Sequence, residues 1–181
     1  AMQGFVSLLQ TIPKSNRGAY LESIAGIYHS RPTALQSGND NAHGRIHARY
    51  HSFFQQYIRV HGYEDLYLAT PEGDIVYSVN KQADFGTNLI NGPFSYKKMT
   101  GPSPQKPNTN ISLVFQQVVK AGNPRITVFR DFENYEASGN PSSFLGAGIF
   151  HQEQLIGVLI FRLPIDILNT VSMHIPPEID A

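Results

Sequence analysis

The sequence contains no cysteine among its 181 residues. This absence excludes disulfide bridges, thiol catalysis and cysteine-bound metal sites together. Because an oxidising compartment selects against stray thiols, it also slightly favours an extracytoplasmic location. The formal net charge is zero and no run of like charges occurs, so the composition gives no indication of a basic surface that binds nucleic acid.

Long apolar runs are also missing, and no stretch approaches the length that spans a bilayer. Ala1 precedes Met2, an order typical of a fragment excised from a longer gene. The chain is long enough to bury one core without disulfide bridges. We therefore expect one domain, with or without a helical extension.

The sequence contains no complete set of catalytic motifs. Asp84-Phe85-Gly86 has the letters of the kinase magnesium triplet, but the glycine-rich loop, the strand lysine and the His-Arg-Asp loop are missing. There is no Gly-x-Ser-x-Gly elbow. Asp131 and Glu133 could imitate a glycosidase pair, but nothing else supports that interpretation. We expect no enzymatic activity in this chain.

Residues 5 to 60 show helical spacing with interruptions. "FVSLLQTI" predicts a short helix, "LQSGNDNAHG" predicts a polar loop, and "RIHARYHSFFQQYIRV" predicts a longer helix capped by Gly62. The segment "AYLESIAGIYHS" places four side chains on one helical face: Leu21, Ile24, Ala25 and Tyr28.

After Gly62 the pattern changes to short runs rich in β-branched and aromatic residues. "YEDLYLAT" and "DIVYSVN", joined by the turn "PEGD", predict a hairpin. "SLVFQQVVKAG" predicts a helix with Ser112 as N-cap and Gly122 as C-cap. Three strand runs follow, "RITVFRDF", "SFLGAGIF" and "QLIGVLIFRL", and a helix is expected from Pro164.

This order predicts the fold class. Adjacent strands with short turns favour antiparallel pairing, and strands that are grouped rather than alternating with helices favour the α+β class over α/β. We therefore predict one antiparallel sheet of about five strands, with long helices N-terminal to it.

Three segments carry a family resemblance when taken in order: residues 62–94 ("GYEDLYLATPEGDIVYSVNKQADFGTNLINGPF"), then "FRDFENY", then "IGVLIFRLPIDILNTV". Together they resemble the Cache sensor domains, which are PAS-like extracytoplasmic input domains of bacterial membrane receptors. The resemblance covers residues 48–171, most of the chain.

The resemblance implies a PAS-like α+β core with long N-terminal helices and a C-terminal helix. We divide the chain into a helical segment (1–62), a sensor core (63–174) and a tail (175–181). The implied function is non-catalytic sensing of a small molecule, without a cofactor, in the periplasmic part of an inner-membrane protein. That protein would be a chemotaxis transducer, a histidine kinase or a cyclic-nucleotide or diguanylate cyclase, anchored by flanking segments absent from this chain.

Two features depart from the family. The segment 95–110 is longer and richer in proline than the usual connection, and such loops are commonly functional or disordered. The chain has no tryptophan. The Arg-x-Trp element of the amino-acid-binding members is therefore absent, and amino-acid recognition is not carried over.

In such domains the segment that begins at Asp84 leads into the ligand-side loop. Gly86 predicts a tight bend, and the side chains of Asp84, Thr87 and Asn88 can bond to the turn backbone. One interpretation of this segment is a self-satisfied turn, in which the polar side chains hydrogen-bond to the turn's own backbone. The other interpretation is a direct contact with the ligand.

The segment "FRDFENY" is the best ligand-binding candidate, because it brings both charge signs and an aromatic hydroxyl to the end of a strand. Arg130 could bind an acidic group, Tyr77 or Tyr135 could donate a hydrogen bond, and Asp131 could orient Arg130 or bind an amine. The alternative is an exposed Arg–Asp pair of little consequence. We expect a small polar or anionic ligand. The predicted site residues are Tyr67, Tyr77, Asp84, Phe129, Arg130, Asp131, Tyr135 and Phe144.

His43, His47 and His51 are four residues apart, which places them on one helical face. Such pairs can bind zinc, but no cysteine or interposed glutamate completes a site. The alternative is a packing or solvated face, and we predict no metal site.

An aromatic stripe on the same helix suggests a parallel homodimer in the full-length receptor. The stripe consists of Tyr50, Phe53, Phe54 and Tyr57. Two other functions stay open: a cytoplasmic PAS-type interaction module and, with less support, a small hydrolase. Flanking membrane segments in the parent gene would decide for the sensor.

Overall fold

A computed structural model describes residues 1–31, 40–97 and 107–165. The helix predicted from Pro164 and most of the proline-rich segment 95–110 lie outside the described residues.

In the described residues, three α-helices and a short 3-10 helix (Lys14–Asn16) precede the sheet. The α-helices are α1 (Met2–Gln10), α2 (Arg17–Ser30) and α3 (Ala42–His61). The four predicted apolar residues of α2 are all buried. Helix α3 begins earlier than predicted, because the Asn41 side chain accepts a hydrogen bond from the Gly44 N–H (2.8 Å) and caps the helix. Gly62 ends α3 with a φ of 71°, which confirms the predicted C-cap.

Five strands form one antiparallel sheet in the described residues. They are β1 (Asp65–Ala69), β2 (Ile75–Ser78), β3 (Thr127–Tyr135), β4 (Asn140–His151) and β5 (Gln154–Leu163). The order across the sheet is β2-β1-β5-β4-β3. This confirms the α+β class and the single antiparallel sheet of about five strands. It also confirms the hairpin β1–β2, and β4 and β5 form a further hairpin.

Each face of the sheet carries its own core. The α4 face, which presents Tyr67, Phe144 and Ile160, is covered by α2, by the segment 84–89 and by helix α4 (Asn110–Ala121). The α3 face, which presents Leu66, Leu68 and Tyr77, is covered by α1 and α3. Burial on both faces explains why several strands are apolar throughout.

Helix α4 begins at Asn110, and Thr109 occupies the N-cap position without a side-chain cap. The prediction that Ser112 caps this helix was therefore wrong. The Ser112 hydroxyl is buried and instead donates to the Leu89 carbonyl (2.7 Å), joining α4 to the segment 84–89. Gly122 ends the helix with a φ of 54°, as predicted.

Candidate ligand-binding site

The segment 84–89 forms a tight turn against β2. Gly86 adopts a φ of 80°, the Thr87 hydroxyl donates to the Asp84 carbonyl (2.7 Å), and the Asn88 amide donates to the Asp74 carboxylate (2.8 Å). Thr87 and Asn88 therefore stabilise the turn, as the self-satisfied interpretation predicts. Asp84 differs from these two residues. Its carboxylate is buried and accepts a hydrogen bond from Tyr135 on β3, which lies at the opposite edge of the sheet from β2.

Asp84 and Tyr135 form a buried pair. The Tyr135 hydroxyl donates to Asp84 Oδ2 (2.8 Å), and the Phe144 ring packs edge-on against Tyr135 at a centroid distance of 5.1 Å. Burial raises the pKa of the Asp84 carboxyl, and the hydrogen bond from Tyr135 opposes this rise. The buried Tyr67 hydroxyl interacts with Asp84 as well and also opposes the rise of its pKa, although neither the Tyr67 hydroxyl nor Asp84 Oδ1 makes a hydrogen bond of good geometry among the described residues.

A second carboxylate lies in the same interior. Asp65 Oδ1 accepts backbone N–H groups from Leu66 (2.8 Å) and Val79 (2.9 Å), whereas Oδ2 finds no partner in the described part of the chain. Burial, together with the charge of Asp84, raises the pKa of Asp65 to about 7. This interior can therefore hold or release a proton near neutral pH.

Arg162 balances these charges from β5. Its Nη1 donates to the Gln82 side chain (2.8 Å), and its Nε lies 3.3 Å from a Glu64 carboxylate oxygen. Gln82 immediately precedes the turn that holds Asp84. Strand β5 is therefore linked through Arg162 both to this turn and to the start of β1.

A cavity of about 460 Å³ opens on the outer side of Tyr135. This volume suits a small metabolite. The lining includes aromatic rings, charged groups and a hydroxyl: Phe94, Tyr96, Lys97, Thr109, Glu133 and Tyr135. A polar ligand placed here would contact Tyr135 and, through it, the buried Asp84.

The structure brings together half of the predicted site residues. Tyr135 lines the cavity, and Asp84, Tyr67 and Phe144 lie behind it in the core of the α4 face. "FRDFENY" forms the last seven residues of β3, so Tyr135 lies at the end of the strand as predicted, whereas Arg130 and Asp131 lie further inside it.

The other four predicted residues lie elsewhere. The Tyr77 hydroxyl is on the α3 face, 2.8 Å from His51 Nδ1. Phe129 is 49% exposed, and Asp131 is exposed and accepts the N–H of Phe132. Arg130 does not line the cavity, and its buried Nε lacks a hydrogen-bond partner within the described ranges.

Three charged residues among those described line the cavity: Lys97, Glu133 and Glu136. Sequence reasoning named Glu133 but did not include it among the site residues, and it left out Lys97 and Glu136. Lys97 and Glu133 form an ion pair at 2.9 Å. The length of the segment 95–110 drew attention to the region of Lys97, but it does not indicate that Lys97 reaches Glu133 on β3.

The three histidines of α3 are buried between that helix and β2. The His43 Nε2 lies 2.8 Å from the Val76 carbonyl oxygen, and His47 stacks on His51 at 4.3 Å. Both ring nitrogens of His47 lack a hydrogen-bond partner among the residues described. In those ranges no group of three metal-binding side chains converges. The histidines therefore pack in the interior.

In the ranges that the structure covers, no helix has the length and apolarity needed to cross a bilayer. No protein-family model and no curated protein matches the chain.

Solved sensor domains are similar to this chain. One is the sensor domain of the V. cholerae histidine kinase DctB, at 17% identity and a TM-score of 0.48, covering 93% of this chain and 58% of that one. The sensory domain of the Campylobacter jejuni chemoreceptor Tlp3 with isoleucine bound is 12% identical with a TM-score of 0.45, and the match covers 97% of this chain and 61% of that one. The ligand-binding domain of the Pseudomonas fluorescens chemoreceptor CtaA in complex with L-isoleucine is 14% identical with a TM-score of 0.41, and the match covers 96% of this chain and 62% of that one. This chain thus spans less than two thirds of each. All three are sensor or ligand-binding domains of bacterial receptors, the class that the sequence resembles.

Proposed function

We propose that the chain is the extracytoplasmic ligand-sensing domain of a bacterial membrane receptor and is not itself an enzyme. One observation carries the proposal: a cavity of about 460 Å³ is bounded by Tyr135, whose hydroxyl donates a hydrogen bond to the buried Asp84 carboxylate. A cavity of this size with a few convergent polar groups is typical of a small-molecule site. The hydrogen bond fixes the position of Tyr135 before a ligand binds.

The ligand is a small polar molecule that contacts Tyr135. Phe144 packs against the Tyr135 ring, and Tyr67 lies in the same core. Asp84 accepts the hydrogen bond that fixes the direction of the Tyr135 hydroxyl. Arg130 lies outside the cavity, so its predicted role of binding an acidic group is tested separately by the variants below. Amino acids are bound to the similar chemoreceptor domains, so they belong in the first screen, together with small organic acids.

Signal output follows from the link between the cavity and β5. A ligand that binds one arrangement of the Asp84 turn better than another shifts the population by that difference in affinity. Arg162 transmits such a shift to β5 through Gln82. Strand β5 ends at Leu163, immediately before Pro164, so a displacement of this strand passes to the segment that follows.

The test is a thermal-shift screen followed by calorimetry on wild type, Tyr135→Phe and Asp84→Asn. Loss of a charged, desolvated hydrogen bond is expected to weaken binding by about one to two decades, or about 1.5–3 kcal/mol. Arg130→Ala and Asp131→Asn test the predicted residues that lie outside the cavity. Unchanged binding in all four correctly folded variants would refute the site, and turnover of the ligand would favour the hydrolase alternative.

We also propose a parallel homodimer through α3 in the full-length receptor. Phe53 and Val60 mark the seam, and their separation of seven residues is the repeat of a coiled coil. Two residues of the predicted aromatic stripe pack inside the chain instead, Phe54 against Tyr77 and Tyr57 against Phe161. Phe53 is 63% exposed and Val60 is 68% exposed, which supports a partner helix on this side.

A further inference from the structure

Glu133 is held firmly at the floor of the cavity. Its side chain is only 8% exposed and extends from β3. One carboxylate oxygen, Oε1, accepts the backbone N–H of Asn110, the first residue of α4. Because Thr109 provides no side-chain cap, Glu133 takes the place of the missing cap and interacts favourably with the helix dipole.

The other oxygen of Glu133 is held differently. Oε2 is buried and forms no hydrogen bond of good geometry within the described residues, and it lies 2.9 Å from Lys97 Nζ. The Lys97 side chain is 42% exposed and extends from a loop rather than from a helix or strand. An ion pair with one solvent-exposed partner contributes little stability. Lys97 is therefore the replaceable partner and Glu133 the fixed one.

The walls of the cavity suit a second ammonium group in this position. Phe94, Tyr96 and Tyr135 contribute aromatic rings, whose faces attract cations. Lys97 is the one basic side chain among the described lining residues. A ligand carboxylate would have to displace Glu133 from α4 or lie beside it, and a second negative charge there is unfavourable.

We propose that Lys97 is an internal occupant of an ammonium-binding site, and that the ligand displaces it with an ammonium group of its own. Glu133 Oε2 then binds the ligand cation, while Oε1 stays on Asn110. The inference rests on the proposed function, because it concerns the same cavity. Of the polar or anionic ligands expected from the sequence, it excludes the anionic ones and selects a ligand that carries a protonated amine and an apolar body.

The test uses Lys97→Met, which keeps the length of the side chain and removes its charge. Benzylammonium, benzyl alcohol and benzoate are titrated at neutral pH, and binding is followed by NMR at the amides of Asn110 and Glu133. We expect benzylammonium to bind Lys97→Met about threefold to fivefold more tightly than wild type, since the competing ion pair is gone. The affinity for benzyl alcohol and benzoate should not rise.

Glu133→Gln in the Lys97→Met background is the matched control, because the glutamine carbonyl can still accept from Asn110. The gain for benzylammonium should disappear in this double variant. Equal benzylammonium affinity in wild type and Lys97→Met, absence of saturable binding to Lys97→Met, or a gain for benzoate instead would overturn the inference. The inference would also be overturned if the screen identifies a ligand that has no amine and whose binding is lost in Tyr135→Phe. That result would leave the proposed function intact.

Discussion

Gly86 holds the turn that places Asp84 beneath the sheet. Its φ of 80° lies in the left-handed region, and a Cβ at this position would lie 2.8 Å from the Leu21 carbonyl oxygen. We expect Gly86→Ala to lower the free energy of unfolding by about 1–3 kcal/mol. Urea unfolding measures the change.

Gly26→Ala is the control for this prediction. A Cβ at Gly26, inside α2, meets nothing within 4 Å. We expect this variant to be neutral or to gain up to about 1 kcal/mol, because alanine favours a helix interior. Equal destabilisation by both variants would contradict the account of the turn.

The buried histidines of α3 make the folded chain sensitive to acid. Burial lowers the pKa of His43 and of His51 to about 4 and that of His47 to about 2, and the nearby charge of Lys81 acts in the same direction on all three. The unfolded histidines bind protons below about pH 6.5, and the folded ones do not. Their contribution to stability is therefore complete above pH 6.5 and is lost as the pH falls towards 4. At pH 5 each buried neutral histidine lowers the free energy of unfolding by about 2 kcal/mol.

His47→Leu tests this effect, since both nitrogens of His47 lack partners and their removal breaks no hydrogen bond. We expect the variant to lose about 2 kcal/mol less than wild type between pH 7 and pH 5. The rise of the Asp65 pKa to about 7 acts in the opposite direction, but it is common to both proteins. The control is His151→Leu, at an exposed position, which should keep the wild-type pH dependence. A wild-type slope in His47→Leu would show that this residue is not held neutral.

At the scale of single elements, α3 carries the proposed dimer contact. Because the chain has no cysteine, an introduced cysteine is the single thiol of this domain, and replacing any cysteine outside it by serine makes the cross-link unambiguous. Phe53→Cys in the full-length receptor should form a disulfide dimer under mild oxidation, since this position lies on the seam. Gln55→Cys, exposed on the same helix but off the seam, should cross-link much less. Equal yields would argue against the parallel α3 pair.

The types of the elements could be predicted because their side chains follow the periods of helix and strand. Their ends could not always be predicted, since tertiary contacts decide them. Ser112 has the chemistry of an N-cap, yet it is occupied by the Leu89 carbonyl, and the side chain of Glu133 meets the first turn of α4 instead. Asn41 extended α3 into a stretch whose composition is typical of a loop.

The candidate site could be predicted only in part, for a reason that belongs to the whole molecule. The aromatic hydroxyl at the end of a predicted strand indicated Tyr135, but its partner Asp84 comes from a turn packed against β2, at the opposite edge of the sheet. Tyr67 and Tyr77 have the same side-chain chemistry and lie on neighbouring strands. The β1–β2 register places them on opposite faces, because Tyr67 pairs with Ser78 and Tyr77 with Leu68.

The central claim is that ligand binds in the cavity outside Tyr135. Hydrogen exchange of backbone amides, with and without a ligand from the screen, tests it most directly. We expect slower exchange at residues 94–97 and 133–136 and around Asp84, with little change elsewhere. The second candidate location is the apolar groove between α1, α3 and the sheet, which Met2, Phe54 and Phe161 line. Protection confined to that groove, with the amides around Tyr135 unchanged, would contradict the account.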